Sequence, residues 1–236
     1  MVYSTSMCGA HTCWDRLYVI EWDGTGFVNR VADMTDYPYA TFSVEENQVV
    51  VEVGGIGSAG AGYQRSYREV WRWDGRRYAV AEQSVGPPTA LIHYVHDGDD
   101  ALARGDYGEA MSHYEAVPAE TDLPAGLSLE SEEQGVAILK AYARFKLVVA
   151  YAASGDGWGG QAQYDALVAE HPEGTPGYPY ALLGRAFWSD FVATDNPRSA
   201  CAAAVAMAEG DPTLAERLYS GYANREYEPG GLCRLE

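Results

Sequence analysis

Residues 17–29 read LYVIEWDGTGFVN and residues 68–80 read REVWRWDGRRYAV. Laid over one another, the two stretches share a tripeptide, Trp22-Asp23-Gly24 in the first and Trp73-Asp74-Gly75 in the second, with alternating apolar residues on both sides. Asp-Gly between alternating runs is a strong hairpin signal, because glycine accepts the positive φ of a tight turn. Leu17 to Trp22 and Val70 to Trp73 are therefore predicted as entry strands, with Phe27 and Val28, and Tyr78 to Val80, as the exit strands. The chain contains an internal β repeat.

Upstream of the second tripeptide, Thr41 to Val44 and Val49 to Val53 read as a further strand pair turning at Glu45-Glu46-Asn47, followed by the glycine-rich connection Gly54 to Gly62. The corresponding place in the first copy is taken by the loop Cys8 to Cys13, CGAHTC. The full unit is thus four antiparallel strands, of which the first copy has only its last three. A sheet short of an outer strand leaves backbone N–H and C=O groups unpaired. Two remedies exist. The copies pair into one sandwich-like sheet system, which is the preferred solution, or another chain adds a strand along an assembly edge at Val2, Tyr3 and Ser4.

The four-stranded unit with its aromatic-Asp-Gly hairpin resembles the blades of extracellular FG-GAP or integrin-type β-propellers, over roughly residues 1–85. Those blades often carry a calcium loop of D-x-D-G type. Here the turn reads Val44-Glu45-Glu46-Asn47-Gln48, so calcium binding is not implied. Two units, one incomplete, are too few to close a propeller.

From Thr89 the apolar period changes from two to about 3.6. Leu91, Tyr94, Val95, Ala101 and Leu102 mark a helix that stops at Gly105-Asp106, and Tyr107, Ala110, Met111 and Tyr114 mark its partner. Residues 101–117, ALARGDYGEAMSHYEAV, resemble the middle of a tetratricopeptide repeat. Two further hairpins follow the same logic. One pairs Glu130 to Ala153 with Gln161 to Glu170; the other pairs Pro179 to Ala193 with Ser199 to Glu209. Val117 to Leu127 and Glu173 to Gly177 read as linkers, and the Tyr- and Gly-rich tail is expected to pack irregularly on the last hairpin. The fold class is therefore α+β, with residues 1–86 an antiparallel β domain and residues 89–236 an array of α-helical hairpins of tetratricopeptide-like type. Such arrays bind proteins or act as spacers. As a whole this order of parts resembles exported bacterial proteins, a resemblance that implies no activity.

Sixteen Lys+Arg against 34 Asp+Glu give a formal charge of −18, which repels nucleic acid and anionic membrane surfaces. With 47% hydrophobic residues and 12% aromatics the 236-residue chain can fill a core. Its four cysteines fall into two groups, Cys8 with Cys13 and Cys201 with Cys233, and each group suggests a disulfide. An even count with no leftover thiol favours an oxidising compartment. Zinc would need all four sulfurs to converge from regions that read as different folds. No run approaches the length of a membrane span, and the start lacks the basic and apolar regions of an export signal, which is expected to have been removed or to lie upstream.

His93 and His96, three apart on one helix, with His113 on its partner and Asp97, Asp99 or Asp100 nearby, have the residue types of a metal site, but nothing in the spacing fixes its geometry. A domain-junction role for the histidines and a solvated acidic face are preferred. His96 to Asp100, HDGDD, lacks the spacing and distal Glu of a calcium loop, and Gly54 to Gly62 lacks the Lys-Ser/Thr of a P-loop. No Ser or Cys nucleophile motif occurs, and neither does an Asn-x-Ser/Thr sequon. The 18 Tyr and 6 Trp could build a carbohydrate platform, although such residues more often fill cores. The expectation is a non-enzymatic extracellular structural or interaction protein without metal or cofactor. Its partners would be other copies of itself in a fibre or surface assembly, or other surface proteins. The alternatives are a monomeric adaptor binding a peptide or protein and, behind it, an exported carbohydrate binder or hydrolase.

Overall fold

The computed structural model describes residues 1–31, 36–128 and 131–235. Its architecture is α+β, two antiparallel sheets followed by helices packed as hairpins. The chain divides into two compact units, Met1–Pro87 and Pro88–Glu236.

In the first unit, β1 (Val2–Cys8) pairs antiparallel with β2 (Cys13–Trp22), with Val2 opposite Val19 and Cys8 opposite Cys13. Along the other edge of β2 run β3 (Phe27–Asn29), with Phe27 opposite Trp22, and β4 (Asp36–Pro38), with Pro38 opposite Trp14. The exit strand of the first copy is thus in two pieces. Its backbone turns away at Arg30, whose amide still donates to the Val19 carbonyl (2.7 Å) while its carbonyl accepts from the Tyr78 amide (2.6 Å), and Val31 bridges Tyr78 in parallel. The second sheet is a complete meander, β5 (Thr41–Glu45), β6 (Gln48–Val53), β7 (Tyr67–Trp73) and β8 (Tyr78–Val85).

The repeated aspartates make the hairpins. Asp23 Oδ1 accepts from the amides of Thr25 (2.8 Å) and Gly26 (2.9 Å), and Asp74 Oδ1 accepts from those of Arg76 and Arg77, both at 2.8 Å. Gly24 and Gly75 take φ of +101° and +102°, where a Cβ is strained. The amide bonds to Asp23 hold its carboxyl well below the usual range, at about 2.

Period-two alternation on β6 points Val49, Val51 and Val53 to one face, where they meet Trp71 and, from the first sheet, Leu17, Val19 and Tyr37. The two copies therefore close over one common core. Within it Glu69, 8% exposed, accepts from the Tyr37 hydroxyl (2.7 Å) and the Trp71 indole (3.0 Å), so a buried carboxylate ties β4 to β7. The glycine-rich connection lies against the Cys8 to Cys13 loop. The Gly57 amide donates to Thr12 Oγ1 (3.1 Å), and a Cβ at Gly57 would come within 2.1 Å of the His11 carbonyl oxygen.

In the second unit α1 (Leu91–Ala103) packs with α2 (Tyr107–Ala119), α3 (Glu132–Ser154) with α4 (Gly157–Glu170), and α5 (Tyr178–Thr194) with α6 (Pro197–Gly210). Capping places the boundaries. Ser131 accepts from the Gln134 amide, Asp156 from Gly159, and Asn196 from Arg198 and Ser199, each at a helix start. The predicted start at Glu130 lies outside the described residues; α4 begins four residues before the predicted Gln161 because Asp156 caps it there. Tyr114, Tyr142, Phe145, Tyr180 and Phe187 fill the core, and α3, with thirteen buried residues, runs through it.

The tail differs from expectation. It adds a short helix, α7 (Thr213–Glu216), whose Leu214 carbonyl accepts from the buried Tyr180 hydroxyl (2.8 Å). Instead of resting on the last hairpin alone, it continues to the first hairpin and to α3, where Tyr227 and Arg225 bond residues of α1 and the Leu232 carbonyl accepts from Lys146. Polar partners on distant helices draw it there.

Candidate functional site

Met1 and Ile20 exchange two backbone hydrogen bonds, each 2.7 Å, and at the hairpin end the Gly9 amide donates to the Thr12 carbonyl (2.8 Å). With Val2 opposite Val19, the antiparallel alternation makes Tyr3–Tyr18, Thr5–Arg16 and Met7–Trp14 the bonded pairs. Val2, Ser4, Ser6 and Cys8 then sit in the narrow pairs, with their N–H and C=O groups directed away from β2. Among the described residues β1 pairs with β2 alone, and all seven of its residues are exposed. Of the expected edge residues, Val2 and Ser4 thus carry outward backbone groups, while Tyr3 bonds inward and stacks on Tyr18, ring centroids 4.9 Å apart.

Folded proteins usually blunt an edge of this kind with Lys, Pro, a bulge or a covering segment. The β1 sequence, VYSTSMC, has no charge and no proline, in a chain with 21% charged residues. Cys8 and Cys13 form a disulfide across their narrow pair, Cα–Cα 3.9 Å, which fixes β1 on β2 at the hairpin end. The strand is held to its own sheet on one side and, among the described residues, meets no strand on the other.

The acidic and histidine residues of α1 and α2 serve other contacts. His113 faces Glu109 on its own helix (3.8 Å), His93 is buried and takes a hydrogen bond from the Thr89 amide (3.1 Å), and the His96 ring lies 5.9 Å from that of Tyr227. Asp97 is half-buried on α1, and Asp100 pairs with Arg225. No group of three or more His, Cys, Asp or Glu among the described residues is arranged to hold a metal ion.

Asp99 is the member with a role that sequence reasoning missed. Its carboxylate receives the ammonium of Lys146 from α3 (2.9 Å), the hydroxyl of Tyr114 from α2 (2.7 Å) and that of Tyr227 from the tail (2.8 Å). The side chains of Lys146 and Asp99 are 2% and 10% exposed. Burial first, and the Asp99 charge second, push the Tyr114 and Tyr227 hydroxyls far above the usual phenol range. Both stay protonated donors, suited to knotting four segments together. The signal in the sequence was a lone lysine inside the apolar run FKLVVA, residues 145–150 of the long helix.

Cys201 and Cys233 form the second disulfide, linking α6 to the tail. No helix among the described residues is long and apolar enough to cross a membrane. Comparison with protein-family models, curated proteins and solved structures found no match to this chain.

Proposed function

We propose that this chain is a non-enzymatic, extracellular structural protein that assembles with copies of itself by strand addition along β1. The observation that carries this reading is the uncharged outer edge of β1, with the backbone groups of Val2, Ser4, Ser6 and Cys8 directed outward. In the complete repeat the equivalent place beside β6 is filled by β5, antiparallel, so the incoming strand occupies a position the repeat already defines. The donor is β8 of a second copy: with Tyr78 engaged by Arg30 and Val31, its residues 79–85 match the seven of β1 better than the five of β5. Pairing two different edges is heterologous, and it generates a filament when the rotation does not close. Two disulfides support an oxidising, extracellular setting.

A charge of −18 opposes association at low ionic strength. Self-association of the full chain is therefore expected to rise with protein concentration and with salt, read by analytical ultracentrifugation and electron microscopy. Ser4→Pro removes an outward N–H without touching the β1–β2 ladder, and is expected to return the protein to monomer with its circular dichroism unchanged. A wild-type protein monomeric under all these conditions, or a Ser4→Pro variant that assembles normally, refutes the reading.

A second reading, a peptide- or protein-binding adaptor, is supported by the helical unit. A groove of about 750 Å³ is lined by residues of the α3–α4 and α5–α6 turns, including Phe191, Pro197 and Trp158, which is 89% exposed. An exposed tryptophan beside a groove has the character of an interface anchor. Loss of partner capture in Trp158→Ala, with Ser4→Pro silent, would select this alternative.

A further inference from the structure

Both Trp-Asp-Gly hairpins contribute to one slot of about 520 Å³ in the β unit. Trp22 and Phe27 from the first hairpin and Trp73 and Tyr78 from the second line it, together with Glu21 and Arg30. Each Trp meets its cross-strand partner edge to face, at 5.2 Å for Trp22–Phe27 and 5.6 Å for Trp73–Tyr78. Tyr78 packs against the edge of the core, but the other three do not. Trp22, Phe27 and Trp73 are 56%, 77% and 45% exposed, so three large aromatic side chains of the repeat face solvent together. The parallel contact of Val31 with Tyr78 brings the two hairpins together.

From this geometry we propose that the slot is a binding site for a neutral oligosaccharide. Sugar rings carry apolar C–H faces and polar hydroxyl rims, and the slot offers both complements. Its aromatic rings can take the C–H faces. The Glu21 carboxylate and Arg30 guanidinium, held together at 2.8 Å, offer an acceptor and donors side by side to neighbouring hydroxyls. A purely apolar occupant would bury that ion pair without replacing its water. An anionic ligand, nucleic acid included, meets a chain of charge −18. Two aromatic pairs at equivalent repeat positions suit a ligand that itself repeats, and the volume falls in the range of small-ligand sites, roughly 300–1,000 Å³. The slot includes Met1, next to β1, and Tyr78 of β8, but the proposal rests on side chains and not on the outward backbone groups of β1.

The full-length protein is run on native gels containing hydroxyethylcellulose, xylan, galactomannan or dextran, with binding followed in parallel by tryptophan fluorescence. Retardation by at least one of these neutral glycans is expected. Trp22→Ala and Trp73→Ala should each weaken it roughly tenfold, the scale of losing one ring stacked on an aromatic. Trp73→Phe, which keeps a ring face, should retain most of the binding. Circular dichroism of the variants checks that the β unit stays folded. The proposal is overturned if none of the four glycans retards the wild type. Binding that survives both alanine substitutions overturns it too, as does loss of self-association with glycan binding intact, which would make the slot an interface between copies.

Discussion

Replacing Lys146 by methionine tests the knot around Asp99. The substitution keeps the length and most of the volume of the side chain while removing the only cation within 4 Å of Asp99 among the described residues. Taking one partner from a buried ion pair costs about 3–5 kcal/mol, because the remaining charge has lost its compensation without regaining water. Here the loss should lie near the lower end, about 3 kcal/mol, since Asp99 keeps two tyrosine hydroxyl donors, each net worth ~1.5–3 kcal/mol to a charged acceptor. With a urea dependence of roughly 2 kcal/mol per molar, the helical transition should move down by about 1.5 M. The assay is urea unfolding followed by helical circular dichroism, disulfides intact, with tail release read separately by proteolysis near Tyr227. Removing both charges in Asp99→Asn/Lys146→Met should recover part of the loss, since a neutral amide no longer needs the ammonium. A loss below ~1 kcal/mol, the scale of an exposed pair, would refute the reasoning. Strict additivity of the two single substitutions would refute it as well.

The histidine that closes α4 gives a pH dependence. Burial, more than the neighbouring charges, lowers His171 below its ordinary 6.5, so the folded state prefers the neutral ring and the unfolded chain binds a proton at higher pH. Its contribution is complete above pH 6.5 and is lost as pH falls from there through the folded value; His171→Gln should flatten that part of the stability–pH curve, and an unchanged slope would rule the histidine out. The two disulfides should differ in weight. The Cys201–Cys233 bond closes a separation of 32 residues and Cys8–Cys13 only 5. On loop entropy the first contributes about 3.7 kcal/mol and the second about 2 kcal/mol. Paired Cys→Ser variants compared by urea denaturation check the order, and a larger effect at Cys8–Cys13 would contradict it.

Much of this architecture was legible because the forces that set it are local. Trp22-Asp23-Gly24 and Trp73-Asp74-Gly75 announce their hairpins, since a short side chain that bonds amides two and three residues ahead, followed by a residue free to take positive φ, suffices to reverse a strand. Asp156 and Asn196 cap helices by the same short-range chemistry, and apolar periodicity separates strand from helix without knowledge of partners. The spacing of the cysteines paired them because a few residues cannot keep Cys8 and Cys13 far apart.

What the tertiary structure alone decided concerns groups distant along the chain. Asp99 looked like one member of an acidic run until α2, α3 and the tail placed a hydroxyl, an ammonium and a second hydroxyl on it. Glu69 drew no attention in the sequence, and only the fold put it against the Tyr37 hydroxyl and the Trp71 indole. Between β3 and β4, Arg30 and Val31 turn to Tyr78 in the other copy of the repeat. Which edge of the first sheet stays open is also of this kind. The sequence by itself determined that the Trp-Asp-Gly hairpin occurs twice, because recognising a strand and its turn needs only local pattern. Only the folded backbone decided that the N–H and C=O groups of Val2, Ser4, Ser6 and Cys8 are the ones turned outward, because register is set by pairing across the sheet.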